Sequence, residues 1–367
     1  MMSKGFPRLL HLLPSLAVAS AACGSDAAEA GAASAAAPEA APAPPPEHAG
    51  DERAPPRDSP PAAPSTVSKT DAGPALGPPY PIVLAHGFFG FQTLAGVDAL
   101  TYFYGVREDL AKHGERLVFT PAVDPFNDST RRGEQLLTHV EAILAATGYA
   151  KVDIVAHSQG GLDARVVAHD RPDLVASVVT YATPHRGIPL SDMAFGAEPG
   201  SVPADVLDAI VRFAGGPLWD EAGKETSVAK AMKQFSKAGI DAFDARYPDA
   251  PGVRYFSLTG RTGLSSGGGA CKVGGGAPSW IDRWKMERDP VDPLLASAWT
   301  LNGGLEDVND GLVPASSARW GTFLGCVPAD HFDEIGHLFG QSPGAFNAFD
   351  YRALYRALVG HLRSLGL

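Results

Sequence analysis

The sequence predicts an α/β domain with a mainly parallel central sheet flanked by helices, on three observations. Short apolar runs alternate with segments of helical spacing, and the runs are apolar throughout, as in strands buried on both faces. One run passes through a small-residue turn straight into a helical segment. Pro81-Ile82-Val83-Leu84-Ala85 is the first strand, ending at His86-Gly87. A helical segment follows around Val106 to His113, then a strand at Leu117 to Thr120. From Glu134 to Thr147, apolar residues at Leu136, Leu137, Val140, Ile143 and Leu144 have the three-to-four spacing of an amphipathic helix, and Gly148 stops it. Val152 to Ala156, Ala176 to Thr183 and Val253 to Thr259 are further strands. Ser191 to Pro251 breaks the alternation with a largely helical pattern, either helices packed on the core or, the preferred reading, a lid over the site. A last helix starts near Asn347 with Tyr351, Leu354, Tyr355, Leu358 and Leu362 on one face.

The 367 residues accommodate one enzyme-sized domain plus extensions. A formal charge of -11 argues against nucleic acid as a partner and against capture by anionic lipid. Lys4 and Arg8 precede an apolar run from Leu9 to Ala22, which reads as an export signal too short to span a bilayer. The run ends in Ser20-Ala21-Ala22-Cys23, which resembles the lipobox of bacterial lipoproteins; a lipid anchor on Cys23 is expected, with ordinary cleavage as the alternative. Residues from Gly24 to about Pro79 are almost all Ala, Pro, Gly, Ser and scattered charges, too few apolar groups to offset the entropy of ordering. The expected organisation is a signal peptide at 1–22, a disordered tether at 23–79 and a catalytic domain at 80–367, with 191–251 the candidate lid. The location is then a cell-surface or outer-membrane lipoprotein, or a secreted protein. Cys271 and Cys326 are expected to pair, since an exported chain meets oxidising conditions. Neither belongs to a C-x-x-C pair, so a metal site there is a poor reading.

The chemistry centres on Ala156-His157-Ser158-Gln159-Gly160-Gly161, lying between a buried strand and a helical segment near Leu162. This is the setting of a nucleophile elbow, where small neighbours relieve crowding and the serine Oγ is held above the sheet. A serine hydroxyl needs a base, and the base a group that fixes its tautomer. Of the histidines after Ser158, His169 and His361 fall on helices and His185 comes too early for the order serine, acid, histidine. His331, in a loop read as starting at Cys326, is preferred to His337. Asp310, in Asn309-Asp310-Gly311-Leu312-Val313-Pro314, is the favoured acid, while Asp289, Asp292 and Asp307 in similar turns stay open. The backbone N–H groups of Gln159 and Phe88 are the expected oxyanion donors.

From Tyr80 onward the chain resembles bacterial true lipases of the Pseudomonas and Burkholderia type, members of the α/β-hydrolase superfamily. The matching stretches are Pro81 to Gly90, Arg132 to Leu137, Val155 to Gly161, Asn309 to Val313 and His331 to Gly340; Ser191 to Ser279 matches weakly. The resemblance implies the triad Ser158, Asp310 and His331, and an oxyanion hole from Phe88 and Gln159. It also implies a structural calcium ion held by the carboxylates of Asp289 and Asp333 and the backbone carbonyls of His337 and Gln341. The rival reading of Asp289 and Asp333 is two unrelated solvated aspartates, the second capping a helix. Relatives carry a cysteine where Ser316 stands, so their disulfide does not transfer. No organic cofactor is implied.

The expected function is ester hydrolysis through an acyl-enzyme, with long-chain triacylglycerol at an oil–water interface the favoured substrate. An esterase or polyester depolymerase uses the same groups, and a non-catalytic surface lipoprotein is the rival from another class. Dependence on a folding chaperone stays open.

Overall fold

A computed structural model describes residues 74–88, 102–195, 228–264, 267–274, 278–344 and 347–367. The export signal, Cys23, the tether up to residue 73 and positions 196–227 of the candidate lid lie outside the described residues. In chain order the elements are β1 (Ile82–Ala85), α1 (Val106–Lys112), β2 (Val118–Phe119), α2 (Ser129–Thr147), β3 (Val152–His157), α3 (Gly160–Asp170), β4 (Val175–Tyr181) and α4 (Pro189–Phe195). After them come α5 (Val228–Gln234), α6 (Lys237–Arg246), β5 (Arg254–Gly260), a 3₁₀ turn (Ser279–Trp284), α7 (Ala296–Leu301), α8 (Ala315–Ala318), β6 (Thr322–Val327), α9 (His337–Gly340) and α10 (Tyr351–Ser364).

The six strands form one sheet in the order β2-β1-β3-β4-β5-β6, every pairing parallel. Its two faces explain the unbroken apolar runs. In β1, Ile82 and Leu84 pack with Val106 and Leu110 of α1 and Leu354 and Leu358 of α10, while Val83 and Ala85 pack with Leu136 and Val140 of α2 and Ala164 of α3. Both faces are therefore dry, and loops that could carry chemistry gather at the strands' carboxyl ends.

Several boundaries differ from the sequence reading for local reasons. Helix α2 begins at Ser129, five residues early, because the Asp128 carboxylate accepts the N–H groups of Thr130 and Arg131. Helix α10 begins at Tyr351, not Asn347, because Asp350 caps it in the same way. Leu76, assigned to the tether, already exchanges hydrogen bonds with Gly148 and Ala150. Cys326, read as the start of a loop, belongs to β6. The strand escaped notice because its register slips opposite Ser257/Leu258 and Gly325 takes φ +131°, a bulge that breaks the apolar run. The expected disulfide, Cys271–Cys326, is present and ties the 267–274 loop to this strand.

Candidate active site

Ser158 stands between β3 and α3 with φ +55°, a left-handed conformation that a β-carbon makes costly. The surroundings show why its neighbours are glycines. A Cβ at Gly160 would lie 2.4 Å from the Ala85 carbonyl oxygen, and one at Gly161 would lie 2.1 Å from Thr183 Oγ1. Gly87 is equally confined, since its Cβ would come within 2.6 Å of Ser158 Cβ. The His86-Gly87-Phe88 loop is thus pressed against the serine.

His331 Nε2 lies 3.0 Å from Ser158 Oγ, and His331 Nδ1 lies 2.9 Å from Asp310 Oδ2. Asp310 is fully buried, and its other oxygen accepts the N–H groups of Leu312 and Val313 at 2.9 and 2.7 Å. The His331 backbone N–H donates to the Asp310 carbonyl, so the two loops are also joined through the main chain. A carboxylate held this way accepts a hydrogen bond from Nδ1–H, which fixes the tautomer and leaves Nε2 free to accept from the serine hydroxyl.

The rival residues sit elsewhere. Asp292 accepts from Gln341 Nε2 and Asp307 from Ser316 Oγ. His185 bonds Thr180 Oγ1 and stacks on Trp320. His337 stacks on Phe332, and burial, ahead of the His331 charge, lowers its pKa to about 4. Phe88, buried edge-on against Phe126 and Phe235, lines one cleft with Ser158, His331, Leu190, Met232 and Leu312. Gln159, directly ahead of α3, anchors its side chain to the Asn127 carbonyl.

Three groups of functional weight were not singled out from the sequence. Arg132 is fully buried; its guanidinium donates to Asp163 at 2.8 Å, to His86 O at 2.7 Å, and to the carbonyls of Gly87 and Asp124. It thereby staples the Phe88 loop to α2 and α3. Beneath the serine, His157 lies between Tyr102 Oη at 2.7 Å and Glu334 Oε2 at 2.6 Å, and its ring is 4.5 Å from that of His331. Burial drives His157 well below the usual histidine range and Glu334 well above the carboxylate range, each toward its neutral form.

The third group is Asp330, which meets Asp289 and Asp333 with one oxygen of each within 4.8 Å of the others. Asp289 and Asp333 are 1% and 2% exposed, not solvated, and Asp289 Oδ2 and Asp333 Oδ1 are buried without a hydrogen-bond partner among the described residues. Asp333 caps no helix, since α9 has Gly336 at its N-cap, and it is Asp330 whose Oδ1 accepts the N–H groups of Phe332 and Asp333 in the turn ahead of it. Burial first, then mutual repulsion, raises Asp289 to about 8 and Asp333 to about 9, while burial raises Asp330 to about 7. Oxygen-only donors with unspent negative charge fit a hard divalent cation. His337 opens α9 four residues after Asp333, and Gln341 closes that helix. The only sequence signal for Asp330 was its place next to His331. Nothing in Arg132's pattern pointed beyond the matched stretch itself.

Comparison with known proteins bears on the fold and the activity. Residues 80–218 match the α/β hydrolase fold family. A triacylglycerol lipase of Vibrio cholerae is 34% identical over 310 residues, covering 78% of this chain and 89% of that protein. Triacylglycerol lipases of Pseudarthrobacter phenanthrenivorans and Burkholderia plantarii are each 30% identical over 78% of this chain, covering 98% and 87% of their own lengths. The solved structure of a metagenomic carboxyl esterase shares the fold, with a TM-score of 0.51, 19% identity, and coverage of 78% of this chain and 76% of that one. With the parallel sheet, the serine turn and these relatives together, the chain belongs to the bacterial triacylglycerol lipases of the α/β-hydrolase fold and is an ester hydrolase.

Proposed function

We propose that Ser158, His331 and Asp310 carry out acyl transfer from long-chain acylglycerol to water. The observation that carries the reading is the continuous run from Ser158 Oγ through His331 to Asp310, with contacts of 3.0 and 2.9 Å. Ser158 Oγ attacks the ester carbonyl carbon while His331 Nε2 takes its proton, and the carbonyl electron pair moves onto oxygen. The N–H groups of Phe88 and Gln159 face that oxyanion. Collapse expels the alcohol, which leaves with the proton from His331. Water, deprotonated by His331, then releases the fatty acid and restores Ser158. Cleft walls of Leu190, Met232, Phe235 and Leu312 suit an acyl chain, and the relatives' name as triacylglycerol lipases supports the substrate class.

Fluorophosphonate labelling of the wild type and not of Ser158→Ala, with fatty acid released from an emulsified long-chain glyceride, is the expected outcome. Turnover confined to a dissolved short-chain ester would make the protein an esterase or polyester depolymerase, and an unlabelled wild type would make it a binding protein.

The same reading includes a structural Ca²⁺ held by Asp289 and Asp333, the carbonyls of His337 and Gln341, and, departing from the sequence expectation, Asp330 beside them. The ion would neutralise the buried carboxylates and join the segments that carry Asp310 and His331. Export through the N-terminal signal, with a lipid on Cys23, completes the reading. Cys23→Ser should move the protein from the membrane fraction to the medium, and unchanged fractionation would rule the lipid out.

A further inference from the structure

Around α7, two side chains are left almost bare by the packing: Leu264 is 88% and Leu305 is 93% exposed. Each follows a glycine of positive φ, Gly263 at +85° and Gly304 at +51°. Both glycines rest on one indole, that of Trp299 in α7. A Cβ at Gly263 would lie 3.2 Å from its Cζ2, and one at Gly304 would lie 3.6 Å from its Cζ3. The Gly263 N–H also donates to Asp289 O at 2.7 Å and the Gly304 N–H to Trp299 O at 2.9 Å. The leucines are therefore held out by two pinned turns that share a support.

The helix that supports these turns also touches the element that walls the substrate cleft. Helix α4 packs on α7, with the Leu190 N–H donating to Asn302 Oδ1 at 3.0 Å. Its first turn places Leu190 in the cleft wall, and its far end leaves Met193 and Phe195 exposed. At the helical rise the two ends are only about 8 Å apart. Acidic residues adjoin the apolar tips in the chain, Asp192 before Met193 and Glu306 and Asp307 after Leu305, while the Arg288 guanidinium lies at Leu264 and donates to the carbonyls of Leu264, Met286 and Glu287. With a formal charge of -11 the chain gains nothing from an anionic bilayer, whereas an uncharged oil surface brings no such repulsion.

We infer that this face anchors the protein on an uncharged acylglycerol–water interface, with Leu264 and Leu305 inserted and the cleft mouth held toward the oil. Burial of bare aliphatic surface drives the adsorption. The inference rests on the lipase reading and names the surface through which it operates.

The test uses full-length Ser158→Ala protein, which binds without consuming substrate, and triolein droplets coated with phosphatidylcholine. Adding Leu264→Ser and Leu305→Ser should weaken droplet adsorption roughly tenfold or more. In the otherwise wild-type enzyme the same pair should leave hydrolysis of a dissolved short-chain ester unchanged, which also certifies folding, while lowering hydrolysis of emulsified triolein. Vesicles containing phosphatidylglycerol should bind no more tightly than pure phosphatidylcholine. Undiminished adsorption of the double variant, or tighter binding to the anionic vesicles, overturns the inference. So does a concentration-dependent dimer abolished by the two substitutions, which would make the face a contact between copies. Loss of droplet adsorption in the variant, with a wild type that hydrolyses only dissolved ester, would sink the lipase reading and leave the anchor standing.

Discussion

Arg132 couples stability and activity through different partners. Arg132→Met strands Asp163, already raised to about 6 chiefly by burial, as a lone buried acid and should cost about 3–5 kcal/mol. Adding Asp163→Leu should recover most of that stability in chemical denaturation. It should not recover turnover, because the carbonyls of His86 and Gly87 still lack their donor and the Phe88 loop stays loose. Full recovery of both would refute Arg132 as the staple of that loop. At the site itself, Ser158→Ala should lower turnover more than about a thousandfold with little change in Tm. Asp310→Asn should also be severe; if Asp292→Asn proves the more damaging, the acid is misassigned.

At the scale of elements, the Cys271–Cys326 disulfide closes a separation of 55 residues. In the chain-entropy treatment, that closure contributes on the order of 4 kcal/mol, chiefly by restricting the unfolded chain. The double substitution to serine should lower the denaturation midpoint accordingly while leaving turnover at 25 °C nearly intact, since no contact among Ser158, His331 and Asp310 passes through the bridge. An unchanged midpoint would show that the 267–274 loop is held by other contacts, such as the Arg319 guanidinium on the carbonyls of Ala270 and Lys272.

The acid cluster acts on the molecule as a whole, because Asp289 precedes Asp310 and Asp333 follows His331. Without an ion, the folded carboxylates hold protons up to about 7, 8 and 9, whereas in the unfolded chain they ionise near 3.8. The folded chain then binds more protons than the unfolded one, so apo stability falls as pH rises from about 4 to about 9. Bound calcium keeps the carboxylates ionised and removes that dependence. The Tm difference between millimolar calcium and chelator should therefore be larger at pH 8 than at pH 5, and activity in chelator should fall as the His331 loop loosens. Equal Tm and activity in both conditions would rule the ion out.

The strands, the serine turn and the helices α2 and α10 were legible because each depends on residues within a few positions: apolar runs for strands, small residues about Ser158, three-to-four spacing for helices. His331 followed from chain order, and the Cys271–Cys326 pair from composition and compartment. The boundaries at Asp128 and Asp350 were missed although local, since a cap is one side chain and leaves no periodic trace. What the tertiary structure alone decided are the pairings across long separations. Asp310 was favoured by its turn and by the family resemblance, but its contact with His331, which Asp292 and Asp307 do not make, belongs to the tertiary structure. Arg132 reaches the Phe88 loop 45 residues away, and Glu334 reaches His157 across 177. Asp330 joins Asp289 only where β6 and the loop before α7 are brought together. Local sequence constrains φ and ψ and the face a side chain presents. Which buried charge meets which depends on the cost of leaving either one unpaired in a dry interior, and that cost exists only once the chain has closed around them.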